Sequence, residues 1–261
     1  MPETETRPRP ALWLLLLIGL GGGVFSGLFG AGGGIILVPL LVTFAKFDQR
    51  RAAATSLLAI LPSTLAGSIT YLLNGEVDLS AAGVIAVGAV CGSLVGARLL
   101  RRLPLPALRW AFIALLVVVA VRVAWVVPVR GEPLEFSAGV AVAYLAIGLV
   151  MGLTSGLFGV GGGVVSVPLL VALVGISDLI AKGTSLAVMV VTSTTGSLAN
   201  RRSGLIDVRS ALIIGTAAAC AAVGGSYLAL ALPPSVSSAL FAGLLLVVAG
   251  QLAVRAIRTK G

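Results

Sequence analysis

Polar residues in this chain are confined to short gaps between long apolar runs. Runs of roughly 20 apolar residues occupy 52–73, 79–97, 106–127, 185–199, 210–232 and 235–254. That is about the length an α-helix needs to cross ~30 Å of hydrocarbon at 1.5 Å per residue. No segment shows the alternation of a membrane β-barrel. Two longer stretches, 11–45 and 138–177, are interrupted by glycine clusters, and glycine costs about 1 kcal/mol per helical position relative to alanine. The pattern predicts an all-α polytopic membrane protein in which each interrupted stretch is a helix–break–helix hairpin. The arm after each break, at 12–13 residues, would reach only ~18–20 Å, so the hairpins are expected to turn round within the membrane. With three full crossings in each half, six in all, hydropathy would count about eight spans.

The two glycine breaks are copies of one another. Ser26 to Gly34, followed by Val38-Pro39-Leu40-Leu41-Val42, returns 129 residues later as Ser155 to Gly163, followed by Val167-Pro168-Leu169-Leu170-Val171. Thr55/Ser56 and Thr184/Ser185, Asp78 and Asp207, Phe112 and Phe241, and the cysteines Cys91 and Cys220 keep the same offset. The chain therefore divides into a tail 1–10, a first repeat 11–127, an external linker 128–137, a second repeat 138–255 and a tail 256–261. Arg7 and Arg9 before Leu12–Leu17 imitate a signal peptide, but Leu16–Leu20 has a duplicate at Leu145–Leu149, so the segment is expected to be retained.

Charge relates the halves. Lys46/Arg50/Arg51 and Arg98/Arg101/Arg102/Arg109 are basic in the first half, where Glu76/Asp78 is acidic; their counterparts Asp178/Lys182, the uncharged 231–236 and the basic Arg201/Arg202/Arg209 run the other way. Under the positive-inside rule, equivalent loops then face opposite sides of the membrane, which predicts inverted repeats with both termini cytoplasmic in the cell membrane. The net charge of +9 is explained by these loops, and no nucleic-acid partner is expected. With 58% hydrophobic residues, two cysteines and no histidine, the lipid bilayer is the solvent and no metal cluster, cofactor or nucleophile–base pair is visible. All nine carboxylates are assigned to the tail or loops.

Paired, broken segments in matching places of two halves are the best sequence pointer to a transporter's substrate site. Gly30, Gly32, Gly33 and Gly34, with Gly159, Gly161, Gly162 and Gly163, allow positive φ angles and close approach of a ligand to the main chain. Successive amides and the following helix start present partial positive charge, which suits an anion. Residues 35–38 are expected to stay extended, with Pro39 early in the helix. Ser26, Ser155, Thr55, Ser56, Thr184, Ser185, Thr192 and Asn200 are candidate ligands for the anion, though such hydroxyls equally bond nearby carbonyls. Gly88, Gly92 and Gly96 form a packing face open to a homodimer or to another helix of the same chain.

Paired Gly-x-Gly-Gly-Gly motifs followed by Val-Pro, here Gly30–Leu40 and Gly159–Leu169, make the chain resemble the TauE/SafE family of sulfite exporters over nearly its whole length. The resemblance implies transport of small sulfur-containing oxyanions such as sulfite, thiosulfate or sulfoacetate. A channel-like anion pathway and a non-transporting membrane scaffold are the alternatives.

Overall fold

Side-chain caps set where several helices begin. Asp48, Asp78 and Asp207 each accept a hydrogen bond from a main-chain N–H three residues on, opening α3 (Gln49–Leu73), α4 (Leu79–Arg102) and α9 (Val208–Ala231). Ser177 does the same for α8 (Asp178–Asn200), each satisfying one orphan donor of a first turn. The computed structural model of the protein describes residues 10–125 and 138–258, so the expected linker 128–137 lies outside them. The remaining helices are α1 (Leu12–Phe29), α2 (Gly34–Thr43), α5 (Leu105–Trp125), α6 (Ala138–Phe158), α7 (Gly163–Leu169, followed by a π turn, Leu170–Val174) and α10 (Pro234–Arg258). The described residues are all-α.

Seven of these helices are long and apolar enough to cross a membrane, among them both long hairpin arms, α1 and α6. The expected count of about eight is reduced because α8, though 23 residues long, carries Asp178, Lys182 and a run of hydroxyls. Residues 35–38 are helical rather than extended, and Pro39 and Pro168 sit inside α2 and α7. Gly33 and Gly162 already complete the bend in a left-handed conformation, so the helix starts earlier and each proline removes one interior hydrogen bond instead.

Each hairpin packs on the other half. Its long arm α1 lies along α9, and α6, the equivalent of α1, lies along α4, the equivalent of α9. Small residues make both seams close. A Cβ on Gly92 of α4 would stand 2.2 Å from the Leu149 carbonyl oxygen of α6, and one on Gly152 of α6 would stand 2.1 Å from that of Ala89. Gly19, Gly23 and Gly27 of α1 meet α9 the same way. Of the two partners open to the Gly88/Gly92/Gly96 face, a second copy or another helix of the same chain, the structure shows the second, α6.

Two sets of helix ends are tied together. At one, Arg51 pairs with Asp207 (2.8 Å), Arg50 donates to the Leu103 carbonyl (2.6 Å) and Arg101 to Asn200 (3.1 Å). At the other, the Asp78 N–H donates to Thr184 (3.0 Å) and Lys182 to Ser237 (2.8 Å).

Candidate functional site

Gly30 closes α1 in the left-handed region, its N–H bonded to the Ser26 carbonyl (3.0 Å); Gly32 and Gly33 follow with φ of 72° and 71°. The second break repeats this at Gly159, Gly161 and Gly162. Gly34 and Gly163 are the first residues of the short arms and are needed for a different reason. A Cβ on Gly34 would lie 2.4 Å from Val160 Cα, and one on Gly163 2.4 Å from the Gly30 carbonyl oxygen. The two tips therefore touch backbone to backbone.

The hydroxyls around them are bonded to this framework. Ser56 donates to the Gly159 carbonyl (2.6 Å) and Ser185 to the Gly30 carbonyl (3.0 Å), equivalent residues tying each tip to the other half. Thr192 donates to Gly161 O at 3.2 Å. Thr55 and Thr184, nearly two turns inside the starts of α3 and α8, accept the N–H groups of Asp207 and Asp78. Asn200 bonds Arg101 and the Gly196 carbonyl at the end of α8, and none of its bonds reaches a tip. Ser26 and Ser155 are fully buried one turn before the breaks, and neither hydroxyl has a partner.

The main-chain N–H groups of 31–35 and 160–164 are buried as well, and among the described residues they donate to no acceptor. Buried N–H groups without a partner are rare in proteins. Met189 of α8 stands between the tips: a Cβ on either Gly32 or Gly161 would meet its terminal methyl at 1.9 Å. Nothing in the apolar pattern distinguishes Met189 from other core residues; its equivalent is Ile60.

Sequence reasoning also missed a buried ion pair. Asp178 and Lys182, assigned above to a loop, are the first and fifth residues of α8, 2.6 Å apart, with Lys182 against Gly30. The available signal was their i, i+4 spacing and their mismatch with Gln49 and Ala53 in the other repeat.

Comparison with known proteins places the chain in a class. The family model described as Sulfite exporter TauE/SafE matches residues 1–123 and 144–261. The chain belongs to this family: it is a multi-pass membrane transporter and not an enzyme. It is 27% identical over 225 residues to the "Probable membrane transporter protein YunE" of Bacillus subtilis (strain 168), covering 77% of this chain and 82% of that one. A "Probable membrane transporter protein" of Xylella fastidiosa (strain 9a5c) is 30% identical over 74% of this chain and 76% of its own. "Sulfite exporter TauE/SafE family protein 1" of Arabidopsis thaliana is 32% identical over 38% of this chain, which spans only 22% of it. No solved structure matches the chain.

Proposed function

We infer that the protein is a secondary transporter of small sulfur-containing oxyanions (sulfite, thiosulfate or organosulfonates such as sulfoacetate) bound at the two glycine tips. The observation that carries this reading is the cluster of buried main-chain N–H groups at 31–35 and 160–164 without protein acceptors. Such groups at helix starts and in turns favour an anion, which accepts several of them at once. Names within the family point to sulfite as one member of the substrate class.

The inverted arrangement has its own support. The helix ends joined by Arg51–Asp207 and Arg101–Asn200 gather Arg50, Arg51, Arg101, Arg102 and Arg201. Those joined by Asp78–Thr184 carry Glu76 and Asp78, with Asp178 offset by its partner Lys182. Equivalent loops fall in different groups, and the positive-inside rule then assigns the basic ends and both termini to the cytoplasm.

Purified protein in proteoliposomes tests the function against sulfite, sulfate, thiosulfate, taurine and sulfoacetate under an imposed pH or Na⁺ gradient. Saturable flux with counterflow is expected. Conductance without saturation would instead favour a channel, and no flux of any of them would favour a scaffold.

A further inference from the structure

The two halves differ in chemistry at one set of equivalent positions. The start of α3 places Gln49 and Ala53 one turn apart; the start of α8 places Asp178 and Lys182 there. Lys182 is 2% exposed and Asp178 9%. The ammonium donates to Asp178 Oδ2 at 2.6 Å and to the Ser237 hydroxyl at 2.8 Å, where the first half has Leu108. Neutral residues of similar size replace a buried ion pair without loss in many proteins. The first half shows that this fold, too, is built without the charges, so stability alone does not explain them.

The pair opens on a cavity of about 40 Å³, walled by Phe29, Pro168 and Phe241, with Ser237, Ser238 and Arg122 as its further polar groups. The equivalent cavity of the first half, about 10 Å³, presents Gln49 and Arg109. The buried Gln49 amide nitrogen there has no hydrogen-bond partner. Both cavities border the hairpins, and only one holds a carboxylate.

Building on the transport reading above, we propose that Lys182, Ser237 and Asp178 form a second anion site, beside the tip at Gly30 against which Lys182 packs, and that this site is coupled to a proton. An oxyanion in the cavity takes the ammonium and hydroxyl hydrogen bonds, and Asp178 gives up its partner. A carboxylate and an oxyanion sharing one buried ammonium leave an uncompensated negative charge, which low-dielectric surroundings penalise. Uptake of one proton on an Asp178 oxygen removes it. Lys182 stays protonated, its hydrogen bond passes from carboxylate to anion, and no other bond is made or broken. Gln49 is the neutral counterpart of that loaded state.

Other charged and titratable groups around α8 are few. Tyr71 of α3 is within electrostatic reach of both Asp178 and Glu76, the latter in the next loop. Asp78 at the start of α4 holds Thr184, and Tyr144 of α6 feels Asp78. Among the described residues α7, the π turn and the facing part of α10 contribute none. Arg122 of α5 lines the same cavity near the end of its span.

Calorimetry on the full-length protein tests this with thiosulfate and methanesulfonate, which do not titrate between pH 6 and 8. Buffers of different ionisation enthalpy give the protons taken up per anion. Wild type should take up about one, so affinity falls about tenfold per pH unit across that range. Asp178→Asn should bind with no proton uptake and no pH dependence. Asp178→Gln/Lys182→Ala copies the first half, and should fold and lose at least tenfold in affinity. Binding by wild type without proton uptake, or unchanged uptake in Asp178→Asn, overturns the coupling. Unchanged affinity in the double variant overturns Lys182 as the anion's partner. If wild type binds neither anion, the transport reading falls, and this inference with it.

Discussion

Met189→Ala separates the two demands placed on the glycine tips. The side chain is fully buried, with its methyl against both Gly32 and Gly161. Truncation in a bilayer protein lacks most of the usual transfer penalty, because lipid is as apolar as the protein interior. What remains is the cavity, roughly 70 Å³ at about 24 cal/mol per Å³, or about 1.7 kcal/mol. The same void opens beside the N–H groups of 31–35 and 160–164 that lack acceptors. If the anion binds there, wild type spends a similar amount displacing the methionine, so the variant should bind up to about 20-fold more tightly. Thermal unfolding without anion and calorimetry with thiosulfate read the two quantities in one preparation. The expected result is lower stability of the empty protein with higher affinity. Affinity that stays level or falls along with stability would mean that the anion sits elsewhere.

Gly33→Ala and Gly162→Ala should abolish folded yield, because a Cβ at these left-handed positions would lie 2.1 and 2.3 Å from the carbonyl oxygens of Gly22 and Met151. Gly32→Ala meets chiefly the Met189 methyl, so adding Met189→Ala should recover part of its yield; no recovery would refute the packing account. Gly92→Ala should part α4 from α6 and cost about 1–3 kcal/mol, seen as a lower unfolding temperature, while Gly83→Ala, open to space, should cost nothing. Gly75→Cys and Gly204→Cys, in a background lacking Cys91 and Cys220, should react with an impermeant maleimide from opposite sides; same-side labelling would sink the inverted arrangement.

Helix positions were legible because the bilayer enforces a length and an apolar composition. The run 52–73 became α3 at 49–73, and 210–232 became α9 at 208–231. The glycine breaks were legible because so dense a cluster resists helix. The first turns of α8 were not, since Asp178 and Lys182 read as loop residues unless their partner is known, and Ser237 lies 55 residues on. The hydroxyls of Thr55 and Ser56 were equally undecided: both hydroxyl types suit an oxyanion, and only the fold shows that they hold the Asp207 N–H and the Gly159 carbonyl. That Gly88, Gly92 and Gly96 would be consumed inside one chain followed from the exchange of hairpins, which no local pattern encodes.

That exchange bears on how the protein is made. During synthesis α1 enters the bilayer long before α9, the helix it lies along, has left the ribosome. Its glycine face must wait in lipid, and α4 waits in the same way for α6. Neither half has its own docking helix for its own hairpin, so the two halves have to be completed together. Contacts so distant along the chain form late and slowly. Separately expressed halves should each remain open along both seams, and mixing them in the same membrane should close the two together.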